Sequence, residues 1–107
     1  MSVLTATDAD FATKVSEHPV TVVKYFATWC GSCRLIAPKF EKLSNDEQFK
    51  DVTFLEVDAE ANPDTRKLAG VSNLPFFATF KDGKLVEGDF TAKIESVSEM
   101  VQRAQQN

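Results

Sequence analysis

Cys30 and Cys33 are the only two cysteines in a chain of 107 residues. They stand two residues apart in the stretch FATWCGSCRLIAP, Phe26 to Pro38. Sulfurs at this spacing suit three chemistries: a covalent staple, half of a metal clamp, or reversible exchange between dithiol and disulfide. A staple closing so short a loop constrains the unfolded chain by only about 2 kcal/mol in the chain-entropy account. A chain of this length buries enough apolar surface to fold without it. A zinc site asks for four ligands, commonly two such pairs or a pair with histidines. Here there is one pair and one histidine, His18. His18 belongs at the far end of another helix and reads as a helix-end cation or a surface residue. A metal bridged between two chains is the form of the clamp that remains, and no metal or organic cofactor is expected.

Exchange accounts for more of the surroundings. The pair falls where an apolar run, Val20 to Ala27, gives way to helical spacing, and this puts Cys30 at a helix N-terminus. Free backbone N–H groups and the helix dipole favour a thiolate there by about 0.3–1 kcal/mol, enough to make Cys30 a competent nucleophile. Cys33, one turn on, is within reach to attack a mixed disulfide and release the partner's thiol. Cys30 is therefore expected to be the exposed thiol and Cys33 the shielded one. Ser32, between them, keeps a backbone N–H and adds a hydroxyl, both able to stabilise a thiolate.

The rest of the chain must hold this junction in place. Asp8 is placed to cap a first helix with Phe11, Ala12 and Val15 inward. The unalternating run from Val20 reads as a strand buried on both faces, in the middle of a sheet. A helix runs from the cysteines towards Phe49 with Leu35, Ile36, Phe40 and Leu43 at roughly helical spacing, kinked at Pro38. Val52 to Asp58 is the next strand. Asn62 and Pro63 open a short helix that Gly70 closes. LPFFATFKDGKLVEGDF is a hairpin turning at Asp82-Gly83, and Ile94, Val97, Val101 and Ala104 share the inner face of a last helix. The fold class is α/β, a mixed sheet of about five strands covered on both faces by about four helices.

Apolar residues at 43% and charged residues at 26% fit a globular protein with its own core. A net charge of −4 argues against nucleic acid or an anionic membrane as partner. The opening MSVLTATDAD has neither a basic nor an apolar leader region, and no apolar run reaches spanning length. A cytoplasmic location is expected, where structural disulfides are rare.

Four segments in order, ATWCGSC, FLEVD, LPFF and FKDGK, resemble the thioredoxin family across essentially the whole chain. The resemblance implies the thioredoxin fold as a single domain over residues 1–107. It implies a protein-disulfide reductase with Cys30 attacking and Cys33 resolving, active in electron transport and cell redox homeostasis. It implies a cis peptide before Pro75, facing the cysteines, where local sequence offers no reason to prefer Pro75 over Pro19, Pro38 or Pro63. It maps client binding onto Trp29, Gly31, Ser32, Leu74, Pro75 and the turn near Thr91 and Ala92, with Phe76 alongside. Trp29 and Phe76 also have a plainer reading as core packing. Tuning of the redox couple falls to Trp29, Gly31, Ser32, Lys24 and Pro75. The implied partners are disulfide-containing client proteins and a thioredoxin reductase or other electron donor. A more oxidising exchanger or isomerase, and a non-catalytic binding subunit, are the rival readings on the same fold.

Four positions depart from the family's usual pattern. Ser32 replaces a proline, Lys24 a buried aspartate beneath the second cysteine, Phe76 a threonine, and Thr91 or Ala92 a glycine. Lys24 matters most. It is the one charge in an uncharged run, so it either snorkels out or is buried with a partner, for which Glu56 in the next strand is the candidate. Without the aspartate the usual acceptor of the Cys33 proton is missing. A cation beneath the sulfurs favours the thiolate, unless Glu56 cancels it.

Overall fold

The computed structural model describes residues 3–106; Met1, Ser2 and Asn107, and so the first two residues of the opening stretch, lie outside it. The unalternating run forms strand β2 (Val20–Phe26), buried at every residue but the last. Such burial requires neighbours on both edges and both faces, and β2 has them. It pairs in parallel with β3 (Val52–Asp58) and antiparallel with β4 (Phe76–Lys81). The short β1 (Val3–Thr5) pairs in parallel with β3, β5 (Lys84–Phe90) pairs with β4, and the order across the sheet is β1-β3-β2-β4-β5. The β4–β5 turn is Asp82-Gly83, with φ of 52° and 83°. Two successive positive φ values make the tight turn whose twist matches its strands.

Side chains alternate along β2, and two apolar layers follow. Val23 and Tyr25 meet Phe11 and Val15 of α1 (Phe11–Ser16) and Ala69 of α3 (Pro63–Ala69). Val20 and Val22 meet Ile36 and Phe40 of α2 (Gly31–Ser44), and Val97, Met100, Val101 and Ala104 of α4 (Ile94–Gln106). This is the mixed five-stranded sheet with helices on both faces that the sequence predicts. No helix among the described residues is long and apolar enough to cross a membrane.

Several local expectations are corrected. Asp8 does not cap α1, whose first turn starts after Asp10. Its carboxylate accepts the backbone N–H groups of Asp64 and Thr65, at 3.1 and 2.9 Å, and so caps α3 from across the molecule. Asn62 makes no side-chain cap of its own, because its Oδ1 accepts the Asp8 N–H at 2.8 Å. Ala12 is exposed. Helix α2 stops at Ser44, and a separate 3-10 turn, Glu47–Phe49, carries Phe49 into the core. Leu35 is 76% exposed rather than inward. Cys33, Ile36 and Phe40 take the inner face at spacings of three and four, which turns Leu35 outward.

Candidate active site

The chain leaves β2 through a turn in which the Cys30 N–H donates to the Ala27 carbonyl at 3.1 Å. Cys30 is then the N-cap of α2, with extended backbone (φ −85°, ψ 109°). Its sulfur takes the place of a capping oxygen and accepts the Cys33 N–H at 3.2 Å. The same sulfur lies 3.6 Å from Ser32 Oγ. Cys30 and Cys33 are joined in a disulfide, with Cα atoms 5.3 Å apart. The expected contrast in exposure is absent in this state: Cys30 is 5% and Cys33 3% exposed. Cys30 and Cys33 form one buried cluster with Ala27, against which Phe26 and Leu74 pack. What separates the two cysteines is the N-cap position.

Pro75 follows a cis peptide bond, as the resemblance implies. Its carbonyl accepts the Thr91 N–H at 3.3 Å, which makes Thr91 the residue beside the proline and leaves Ala92 exposed next to it. Leu74 packs on the two cysteines. Among the described residues none hydrogen-bonds its backbone N–H or C=O. Trp29 is 64% exposed, so core packing is not its role. Phe76 is the correction in the other direction. Its ring is buried edge-on to Tyr25 and lies where a side chain at Gly88 would collide with it, so it belongs to the core and not to an exposed rim. Gly31 is exposed, and a side chain there would meet no atom of the protein within 4 Å. The open side of α2's first turn is free for another chain's backbone to approach.

Lys24 is buried, at 4% exposure, with its ammonium 3.5 Å from Glu56 Oε1. The strand register sets the two residues directly opposite each other. The ammonium also lies 5.5 Å from the centre of the Phe26 ring and 5.7 Å from that of Phe40. A cavity of about 340 Å³ brings Lys24 and Glu56 to the same wall as Cys33, together with Thr28 and Arg34. His18 lies beyond the end of α1 and is not on that wall. Among the described residues no three His, Cys, Asp or Glu side chains gather as a metal would need.

Sequence reasoning missed Glu60. Its Oε2 accepts the Trp29 indole N–H at 2.7 Å and fixes the exposed ring from thirty-one residues away. Asp58 holds the loop that presents it, accepting the N–H groups of Glu60 and Ala61 at 3.0 and 3.3 Å. The aspartate two residues before Glu60 was a visible turn signal; the identity of the partner had none.

The family model described as Thioredoxin matches residues 2–105. Thioredoxin-1 of Schizosaccharomyces pombe is 40% identical over 91 residues, which cover 82% of this chain and 86% of the relative. Among solved structures, thioredoxin f from spinach chloroplast (short form) superposes with a TM-score of 0.88 at 31% identity, covering 97% of this chain and 94% of that one. A chain from the complex of ferredoxin:thioredoxin reductase and thioredoxin f2 has a TM-score of 0.88 at 29% identity, covering 97% and 96%. With a sequence match over nearly its full length and a disulfide-bonded cysteine pair at the start of α2, the chain belongs to the thioredoxin family and is a thioredoxin-type disulfide oxidoreductase.

Proposed function

We propose that the chain, acting as one domain in the cytoplasm, reduces disulfides of client proteins, with Cys30 as the attacking thiol and Cys33 as the resolving one. The observation that carries this reading is the Cys30 sulfur in the N-cap position of α2, accepting the Cys33 N–H. In the reduced protein that N–H and the helix dipole stabilise negative charge on Cys30 and not on Cys33. The Cys30 thiolate attacks one client sulfur, a mixed disulfide forms, and the other client sulfur leaves as thiolate. Cys33 then attacks Cys30, closing the Cys30–Cys33 disulfide and releasing the second client thiol. Two electrons pass from the dithiol to the client.

The client rim consists of Trp29, Gly31, Ser32, Leu74, Pro75 and the Thr91–Ala92 turn. An extended peptide laid there pairs with the unengaged backbone of Leu74, in the manner of an added strand. A thioredoxin reductase regenerates the dithiol; the reductase complex formed by a structural relative supports this class of donor. The Cys33→Ser variant tests the assignment. It is expected to hold clients in a stable mixed disulfide through Cys30, whereas Cys30→Ser holds none. Clients captured through Cys33 instead would reverse the roles, and a parent that reduces no protein disulfide with reductase or chemical reductant would favour a binding subunit.

A further inference from the structure

The second exchange step raises a question that the rim does not answer. The thiolate is the nucleophile, so Cys33 must lose a proton before it attacks. Its side chain forms part of the wall of the 340 Å³ cavity, which reaches solvent past exposed Thr28 and Arg34. Three charged side chains face that space: Lys24 from β2, Glu56 from β3 and Arg34 from α2. Ala27 and Leu74, also packed on the sulfurs, bring no charge. Arg34 has no acceptor atom, and its guanidinium donates to the Thr28 carbonyl at 2.6 Å. A charged lysine has no acceptor either. Glu56 is the one carboxylate on the wall.

Its setting suits proton transfer. Lys24 is clamped between the Phe26 and Phe40 rings and holds one Glu56 oxygen at 3.5 Å. The other oxygen receives the Thr5 hydroxyl at 3.5 Å, which leaves lone pairs for water. One third of the Glu56 side chain is exposed, so a proton taken from inside can pass on to bulk water. At about 30 Å³ per water the cavity has room for several.

We propose that Glu56, positioned by Lys24, takes up the Cys33 proton through water in this cavity during the second exchange step. The inference rests on the reading of Cys33 as the resolving thiol. The balance is complete: the S–H bond of Cys33 breaks and its proton goes to the Glu56 carboxylate. The Cys33 thiolate forms the bond to Cys30, and the Cys30–client bond breaks. The client sulfur leaves with that electron pair and is protonated by solvent. Glu56 then returns its proton to bulk water.

The reduced protein and 5,5′-dithiobis(2-nitrobenzoate) separate the two steps, since each exchange releases one coloured thiolate. The first release is the internal reference within each protein, since Glu56→Gln uncovers the Lys24 charge beneath the sulfurs and shifts the Cys30 step in its own right. The second is expected to slow about tenfold in Glu56→Gln near neutral pH, less than the roughly 10²–10⁴-fold usual for general acid–base catalysis because water in an open cavity substitutes in part. The difference closes at alkaline pH, where Cys33 ionises unaided. Glu56→Asp recovers part of the rate. Glu56→Gln leaves Lys24 buried and unpaired, so the double variant Lys24→Met with Glu56→Gln, which buries no lone charge, gives the same reading if the single variant does not fold. A second release with the parent's rate and pH profile in either variant overturns the proposal. A parent with no first release overturns the earlier assignment of Cys30, and this inference with it.

Discussion

Ser32 is exposed in the first turn of α2, with its hydroxyl within 3.6 Å of the Cys30 sulfur. In the dithiol state that hydroxyl can donate to the Cys30 thiolate. Proline at this position has no hydroxyl and no N–H, yet fits the first turn of a helix without disturbing it. The Ser32→Pro variant is therefore expected to fold as the parent does and to have a more negative reduction potential. One hydrogen bond to a charged sulfur, taken as about 1.4 kcal/mol, corresponds to roughly 30 mV for a two-electron couple. Equilibration of both proteins with a glutathione redox buffer measures the difference. An unchanged or less negative potential in the variant would show that the hydroxyl contributes nothing to the reduced state. The same site shows where residue-scale reading stops. CGSC names the chemistry, whereas Glu60 under Trp29 and Lys24 between two phenylalanine rings are facts of packing.

At the scale of elements, the least local feature is the start of α3. Pro63 in its first turn and the left-handed Gly70 (φ 70°) after its end are helix boundaries that the sequence displays openly. The cap is borrowed from the far end of the chain, since Asp8 accepts two N–H groups of α3 while Asn62 accepts the N–H of Asp8. This exchange ties the segment between β1 and α1 to the helix that precedes Leu74 and Pro75. Asp8→Ala removes both acceptors and is expected to lower unfolding free energy by about 1–2 kcal/mol, the usual cost of a lost cap. Asp8→Asn, which keeps one acceptor oxygen, should lose less. Urea titrations of the oxidised proteins measure this. A stability equal to the parent's in Asp8→Ala would mean that water replaces the cap at no cost. Because Asp8 lines neither the cysteine cavity nor the rim, the reduction potential is expected to stay at the parent value.

At the scale of the whole molecule, the buried core has a spectroscopic reporter. Tyr25 is the chain's only tyrosine. It is fully buried in the layer beneath α1 and α3, with its hydroxyl donating to the Thr65 carbonyl at 3.4 Å. Burial, with a smaller contribution from the Asp8 charge, pushes the phenol well above its ordinary value of 10.0. The unfolded chain releases this proton near the ordinary value and the folded chain does not. Above that pH the unfolded state binds fewer protons, so stability falls as pH rises. Tyrosinate absorbance is accordingly expected to stay absent from the native protein just above pH 10 and to appear together with the loss of far-ultraviolet circular dichroism. Tyrosinate formed while the dichroism is intact would show that the sheet opens locally around Tyr25.

The sequence by itself determined the chemistry and the order of the elements. Two cysteines at a strand-to-helix junction, a two-residue hairpin turn, a Pro–Gly bracketed helix and an unalternating apolar run are local signals, each set by backbone geometry within a few residues. Tertiary structure alone decided the partners. Alternation along β4 turned Phe76 into the layer shared with Tyr25 and withdrew its side chain from the rim. Helical phase put Leu35 outside. Parallel register brought Glu56 opposite Lys24, an expectation the sequence offered only as a candidate pair. The cis bond before Pro75 came from likeness to a family and from no local feature, because any of the four prolines satisfies the local rules equally. Contacts between residues distant in sequence depend on register, phase and crossover together, and no short window of residues carries all three.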